Sequence, residues 1–222
     1  MPPAKMRLRC PPGLAGWLAR FVQLQAGLFV FAVSVTLMLE ARIGLDPWSA
    51  LHGGLALQTG WSFGRVVQGV GLILVGFTWL ALRIQPGLGT VCNMLFIGAW
   101  IDLIRDQAWI PVWSGQDWRA YAQFLGGILV NGFATGLYIG ARLGAGPRDA
   151  FVLGLSALSG KSLRVTRVGV ELVLLLSALL LGGAIGWGTL IFALLMGPVM
   201  QASLRALGVS RAAGVDLEGA RN

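Results

Sequence analysis

The sequence predicts an all-α, polytopic membrane protein made of two tandem units, and three observations lead to this fold class. Hydrophobic residues make up 56% of the 222 residues and charged residues only 12%, about half the charged fraction of soluble domains. Apolar runs recur at the length that a helix needs to cross a bilayer. Two segments that start 100 residues apart, at Ala41 and Ala141, repeat one pattern of glycine, proline and arginine.

Six apolar runs are predicted to be full membrane spans. They lie at residues 21–39, 66–82, 88–101, 121–141, 168–185 and 187–204. Basic residues stand mainly at the ends of these runs, where they set topology and contact lipid headgroups. The net charge of +8 is therefore assigned to the bilayer, and nucleic acid is not expected as a partner.

The internal repeat divides a single membrane domain of residues 1–222 into units at about 21–105 and 121–205. The two units share glycine, proline and serine positions without a gap: Gly44/Gly144, Pro47/Pro147, Gly60/Gly160 and Ser62/Ser162. Between them, the tryptophan-rich segment 106–120 is predicted to be an interfacial linker, because indole rings favour headgroup depth. The tail at 206–222 is predicted to be mobile.

Each unit contains one helix that is too short to span a membrane. These helices are expected at about 48–58 and 148–158, where eleven residues rise about 16 Å against a hydrocarbon core of about 30 Å. Three spans plus a half-helix per unit would invert the units relative to each other. If the short helices cross instead, the protein has eight spans and parallel units. Basic residues divide thirteen to four in both arrangements and place both termini in the cytoplasm.

A stripe of glycines runs along the predicted first helix of the second unit. Gly132, Gly136, Gly140 and Gly144 recur every four residues, a spacing that allows close helix packing in membranes. The equivalent positions of the first unit are also mostly small. We therefore expect the first helices of the two units to cross each other near the centre of the molecule.

Two arginines are the sharpest candidates for solute binding. Arg42 and Arg142 occupy the same repeat position, directly before the half-helices, whose N-termini carry partial positive charge. Together with Asp46 and Asp149 they are predicted to line a site for an unknown small solute, anionic or zwitterionic. Alternatively, each arginine reaches the interface or pairs with Glu40 or one of the aspartates.

Two carboxylates are candidates for a proton or ion relay, because charges within spans are expensive. Glu171 lies in an apolar run and alternatively pairs with Arg167, one helical turn earlier. Asp102 lies near the end of its span and alternatively reaches the interface.

Other polar residues near or within spans include His52, Asn93, Asn131 and Arg148. The single histidine has no ligand partners at metal-binding spacing, so no metal site or cofactor is predicted. No catalytic constellation can be assembled, and enzymatic activity is not expected.

The repeat motifs resemble those of the YczE-like bacterial membrane proteins, a family related to the YyaS and YitT group. The resemblance rests on GLDPW at 44–48, TGWSFG at 59–64, PGLGT at 86–90, Gly98 with Ile101 and Asp102, GAGPRDA at 144–150 and GWGT at 186–189. It covers about residues 20–205, although Asp46 stands where such proteins often have glycine. The resemblance implies a multi-pass protein of the bacterial inner membrane and supplies no catalytic residues.

The leading hypothesis for function is a transporter or permease-like protein for a small solute, with its site between the two units. Duplicated units with half-helices are typical of inverted-repeat transporters. The alternative is a non-transporting assembly factor or sensor that is the membrane partner of another complex. Assembly into a homo-oligomer is compatible with both hypotheses.

Overall fold

The computed structural model describes residues 13–113, 117–144 and 146–208, and within them the chain forms eight α-helices and no strand. They are α1 (Gly13–Glu40), α2 (Pro47–Thr59), α3 (Phe63–Leu80), α4 (Leu88–Asp106), α5 (Trp118–Gly140), α6 (Pro147–Ser159), α7 (Leu163–Leu180) and α8 (Trp187–Ala206). The all-α prediction is confirmed. Most of the tail that we predicted to be mobile lies outside the described residues, as does the basic N-terminal segment.

Five of the helices are long and apolar enough to cross a membrane: α1, α3, α4, α5 and α8. They correspond to five of the six predicted spans. The exception is α7, which begins at Leu163 rather than 168 because Ser162 caps it. The earlier start brings Arg164 and Arg167 into an 18-residue helix that also contains Glu171. This helix therefore has three charged side chains within 18 residues, whereas α1, α3, α5 and α8 have one or two each.

The two half-helices, α2 and α6, are each 13 residues long, one residue longer at each end than predicted. Each begins with a proline and stops before a glycine in the left-handed region, Gly60 at φ 71° and Gly160 at φ 64°. Thirteen residues rise about 20 Å, which is less than the hydrocarbon thickness of about 30 Å. Ser62 and Ser162 then cap α3 and α7 by accepting backbone N–H groups.

Helices α1 and α5 form the central pair of the molecule, as expected from their small residues. Gly27 of α1 lies on the backbone of Tyr138, where an added Cβ would stand 2.8 Å from the backbone nitrogen. Gly127 of α5 lies on Met38, with a Cβ-to-Cγ separation of 2.7 Å. Glycine at these two positions therefore permits the close approach of the two helices.

The glycine stripe of α5, in contrast, packs largely on α8 rather than on α1. A Cβ at Gly132 would stand 2.6 Å from Cγ1 of Val199, and one at Gly136 would stand 2.6 Å from Cδ1 of Leu207. The stripe was correctly identified as a packing surface, but the prediction that α1 covers it was wrong. A period of four residues defines a flat helix face without defining which helix will cover it.

The first half (α1–α4) and the second half (α5–α8) interlock by exchanging their short helices. Helix α2 packs on α7, and α6 packs on α3. Backbone bonds join the connecting segments: Leu45 N–H donates to Ala184 O at 3.0 Å, and Gly188 N–H donates to Ile43 O at 2.8 Å. The equivalent contact on the other side is Gly89 N–H to the backbone oxygen of residue 143, also 2.8 Å. These bonds position both half-helices at the interface of the two halves.

The described part of the linker is anchored on the end of α1. Trp113 N–H donates to Glu40 O at 3.1 Å, and its indole nitrogen donates to Gln123 Oε1 at 2.7 Å. The Glu40 carboxylate accepts a 2.7 Å bond from Arg105 Nε. Glu40 thus pairs with the end of α4 and not with Arg42, the partner that we considered from sequence.

Candidate solute-binding cavity

A cavity of about 350 Å³ lies at the centre of the molecule and is lined by residues of all eight helices. Both half-helices reach it with their first turns. The lining from these turns comprises Asp46, Pro47 and Trp48 from α2 and Gly146, Pro147, Arg148 and Asp149 from α6. Because backbone ends are tolerated at membrane depth only where protein or water covers them, this convergence is a distinctive feature of the fold.

Arg148 lies between the two half-helices and contacts three side chains of α2. Its Nη1 is 3.9 Å from Asp46 Oδ2, and its Nη2 is 3.4 Å from His52 Nδ1. The guanidinium carbon is 5.4 Å from the centroid of the Trp48 ring, within cation–π range. The arginine side chain is 28% exposed and the aspartate side chain 9%. Arg148 therefore supplies a partly accessible positive charge at the cavity wall.

The second aspartate of the site is held by α5. Tyr138 donates its hydroxyl hydrogen to Asp149 Oδ2 at 3.2 Å. Beside them, a Cβ added at Gly146 would lie 3.5 Å from Asn93 Nδ2, 3.6 Å from Asp149 Oδ2 and 3.7 Å from the Tyr138 hydroxyl. The space next to Gly146 is therefore large enough for a small group and is surrounded by polar atoms.

The two half-helices differ in how their N-termini are capped. Asp46 caps α2, because its carboxylate accepts the Ser49 N–H at 3.1 Å. Gly146 has nearly the same backbone, φ −61° and ψ 154° against −61° and 157°, but it has no side chain to cap α6. The first N–H groups of a helix have no intrahelical acceptors. A hydrogen-bond acceptor from outside the chain can therefore bind the first N–H groups of α6, in the position that the Asp46 carboxylate has on α2.

Glu171 and Arg167 line the cavity on the α7 side. They form the predicted pair, with Arg167 Nε 3.1 Å from Glu171 Oε1 and side-chain exposures of 53% and 39%. The charged residues that line the cavity are thus two arginines, Arg148 and Arg167, and three carboxylates, Asp46, Asp149 and Glu171. Their formal sum is −1.

The structure places Arg42 and Arg142 outside this cavity. Both side chains are exposed, and both residues adopt left-handed backbone conformations, with φ 53° and 55°, directly after α1 and α5. Of the four predicted binding residues, it brings Asp46 and Asp149 to the cavity but neither arginine. The cations that line the cavity are Arg148 and Arg167. We identified Arg148 as a costly polar residue without giving it a role, and Arg167 only as a partner for Glu171.

Asp102 also lies away from the cavity lining. Its Oδ2 accepts the Ser62 hydroxyl hydrogen at 2.5 Å and its Oδ1 accepts the Gly64 N–H at 2.8 Å. Both oxygens are therefore occupied in joining the start of α3 to α4. We had predicted a relay or an interfacial role, and neither included this clamp between helices.

His52 is the least exposed polar side chain of the site, at 1%. Its ring lies edge-on to Phe63 and tilted against Trp48, and its Nε2 has no hydrogen-bond partner among the described residues. Among those residues no group of three or more histidine, cysteine, aspartate or glutamate side chains could hold a metal ion.

Comparison with known proteins gives a consistent result. Residues 18–205 match a family model described as a family of unknown function, DUF6198. The chain is 36% identical over 180 residues to the uncharacterized membrane protein YczE of Bacillus subtilis, covering 81% of this chain and 82% of that protein. It is 32% identical over 192 residues to an uncharacterized protein of Haemophilus influenzae, covering 83% and 84%. A further match, 23% over 175 residues, is the B. subtilis uncharacterized protein YyaS, covering 79% and 87%. No solved structure matches significantly.

Proposed function

We propose that this chain, which belongs to the DUF6198 family and is a YczE-like multi-pass membrane protein, is a permease-like protein that binds a small zwitterionic solute in its central cavity. The observation that carries the proposal is the meeting of two half-helix N-termini with Arg148 and two aspartates in one cavity. Charged groups within membrane proteins are expensive and usually mark a pathway or a site. Transporters use the N-termini of broken helices to bind anionic substrate groups.

The anionic group of the solute binds beside Gly146. There it takes the position that the Asp46 carboxylate has on α2, accepting N–H groups of the uncapped first turn of α6. Arg148 provides a charge-assisted partner from the same turn. Asn93 Nδ2 borders this space and can donate to the anionic group. Tyr138 already donates to Asp149 Oδ2, and this carboxylate borders the same space on the side where the positive group of the solute lies.

The positive group of the solute lies toward the carboxylates. The charged lining sums to −1, since three carboxylates face two arginines. A solute with one negative group alone would increase this unbalanced charge in a site of low dielectric. A zwitterion binds Arg148 with one end and Asp149 or Glu171 with the other, which narrows the anionic-or-zwitterionic class expected from sequence.

The proposed architecture has two inverted units around this cavity in the bacterial inner membrane, with six spans and both termini in the cytoplasm. Two observations support it: α2 and α6 are half-length, and each packs on a helix of the opposite half. An odd number of spans per unit inverts the second unit. In this arrangement α7, despite its three charges, also spans the membrane as the fifth of the six spans, with Arg164 and Arg167 near its cytoplasmic end.

The experiment that tests the proposal is Gly146→Asp, with Gly146→Ala as matched control. The backbone at residue 146 already has the conformation of Asp46, so the new carboxylate can cap α6 and occupy the anionic position. We expect uptake in proteoliposomes, screened with mixtures of zwitterionic metabolites, to fall at least tenfold. Relative to glycine, the cap itself should add only a few tenths of a kcal/mol of stability. The alanine variant adds a methyl group without a carboxylate, so its uptake should fall less than that of Gly146→Asp.

Uptake by Gly146→Asp at the wild-type rate would contradict the proposed site. Absence of uptake in every chain, together with co-purification of a fixed protein partner, would favour the alternative of a non-transporting assembly or sensor protein.

A second variant separates Arg148 from the arginines predicted from sequence. Arg148→Gln should abolish uptake, because it removes the cation that faces both half-helices. The combined variant Arg42→Gln, Arg142→Gln should transport normally, since both side chains lie outside the cavity. Size-exclusion profiles distinguish loss of function from misfolding. Loss of uptake in the combined variant would return Arg42 and Arg142 to the binding site.

A further inference from the structure

Helices α7 and α8 both line the cavity, yet they hardly touch each other. The lining from these two helices comprises Arg167, Val170 and Glu171 of α7 and Phe192, Met196, Met200 and Leu204 of α8. The helices are joined through residues 181–186, where Ala184 O accepts the Leu45 N–H. Because they border one cavity without packing on each other, the cavity is open sideways between them.

Helices α7 and α8 lack the close backbone contact that joins α3 to α4. Gly64 and Gly98 allow the backbones of α3 and α4 to touch. The 100-residue offset pairs Gly64 with Arg164, whose side chain cannot fit such a contact. The offset is 99 residues in the last helix of each unit, where Gly98 pairs with Gly197 and Asp102 with Gln201. No atom lies within 4 Å of the place where a Cβ of Gly197 would be. The separation of α7 from α8 therefore follows from the amino acids at these positions.

The cavity has a charged end and an apolar wall. Arg148 and Asp149 lie at the half-helix N-termini, whereas α8 contributes the large apolar side chains of Phe192 and Met196 and of residues further along its face. The outward residues of α7 and α8 are exposed and apolar, as lipid-facing residues are; Leu172 is 61% and Leu194 75% exposed. A path from the charged end to the bilayer therefore passes along apolar side chains.

From this arrangement we infer that the transported solute is an amphiphile with a zwitterionic headgroup and a single acyl chain, which enters from the bilayer between α7 and α8. The inference rests on the proposed function and adds the substrate class and the route. The headgroup binds at Arg148 and Asp149, and the chain lies along α8 through the opening. A cavity of about 350 Å³ holds a headgroup with the first part of a chain, and the opening accommodates the remainder.

The test uses the full-length protein in phospholipid nanodiscs and a lysophosphatidylcholine that carries a diazirine in its acyl chain. After irradiation, labelled peptides are identified by mass spectrometry. We expect labels on Met196 and Met200 that fall at least tenfold when unlabelled lysophosphatidylcholine is added in excess. Labels on Leu194, which faces outward, should not be displaced.

A pair of tryptophan variants on α7 tests the route. Val170 is half-buried and lines the cavity, so Val170→Trp should fill the opening and remove the displaceable labels. Val173 is 64% exposed, so Val173→Trp adds the same side chain on the outer face and should leave the labels unchanged. Matching size-exclusion profiles establish that both variants fold.

Labels on α8 that excess amphiphile does not displace would overturn the inference, as would cross-linked dimers joined through α7 and α8, which would identify a second copy as the occupant. Water-soluble glycerophosphocholine is the control for the proposed function. If glycerophosphocholine displaces the probe from the wild type and from Val170→Trp alike, the solute enters from water. The inference of an amphiphilic substrate is then wrong, while the proposed binding site is retained. If Gly146→Asp changes neither labelling nor uptake, the site itself fails.

Discussion

The pair α3–α4 and the pair α7–α8 have nearly the same lengths and the same kind of connecting turn, yet only the first pair is closed. In α3–α4, Gly64 and Gly98 bring the backbones together and Asp102 clamps the start of α3. In α7–α8 the paired positions hold Arg164, Gly197 and Gln201. Two of these three positions therefore differ between the sealed helix pair and the open one, with glycine replaced by arginine and aspartate by glutamine.

This difference shows that two halves with the same order of helices can pack asymmetrically. The contacts between the halves are of the same kind on both sides, with α2 on α7 and α6 on α3. The contacts within each half differ, because tight packing in a membrane needs small residues at the touching positions. The open pair then exposes one side of the central cavity and the closed pair covers the other.

The largest expected effect comes from adding one methyl group to the closed pair. Gly98→Ala should lower stability by about 3 kcal/mol, because the new Cβ would overlap the Gly64 carbonyl and approach Gln68 Cγ to 2.9 Å. Gly197→Ala should have no unfavourable effect, since no atom lies within 4 Å. Thermal unfolding in one detergent, followed by size-exclusion chromatography, measures both variants. Equal losses in the two variants would remove the distinction between the pairs.

A smaller loss of stability is expected when the hydrogen bonds of Asp102 to the start of α3 are removed. Asp102→Ala removes the acceptor for the Ser62 hydroxyl and the Gly64 N–H and should cost about 2 kcal/mol. Gln201→Ala, at the corresponding exposed position of α8, should change stability by less than about 0.5 kcal/mol. A double-mutant cycle with Ser62→Ala isolates the side-chain contact. Additive losses in that cycle would show that the hydroxyl bond does not contribute to the closure of the pair.

The smallest effect is expected at the ion pair of α7. Glu171→Ala breaks an i, i+4 contact whose side chains are 53% and 39% exposed, so stability should fall by about 0.5 kcal/mol or less. The matched change in the first half is Gly71→Ala, where the Cβ meets Met94 Cγ at 3.0 Å. Chemical unfolding monitored by tryptophan fluorescence measures the free energy of unfolding of both variants. A loss of several kcal/mol for Glu171→Ala would indicate that the pair holds α7 in place.

The ends of the short helices could be predicted from the sequence because they depend on local chemistry. Proline at the first position, a left-handed glycine at the end and a serine cap each act within a few residues. Pro47 and Gly60 therefore placed both ends of α2 to within one residue. The overall class followed equally from composition, which depends on no contact at all.

The residues that line the cavity could be predicted only in part, because they depend on contacts between distant segments. The repeat marked Arg42 and Arg142 as equivalent, but equivalence does not say whether a side chain faces the cavity or solvent. Glu40 pairs with Arg105, 65 positions away, rather than with its neighbour Arg42. Arg148 has no arginine counterpart in the first half, so a search for repeated positions passed over it. The proposed site therefore depends on a residue that the two halves do not share.

The exchange of α2 and α6 between the halves also has a consequence for the order in which the chain is made. Helix α2 ends at Thr59 and its partner α7 begins at Leu163, which is 104 residues later (163 − 59). At about 5–20 residues per second, α2 waits for roughly 5–20 s before the surface that covers it exists. Helix α6 emerges when α3 is already complete, so it can dock at once. The half-helix that has its own carboxylate cap, α2, is thus the one that remains longer without the helix that later packs on it, α7.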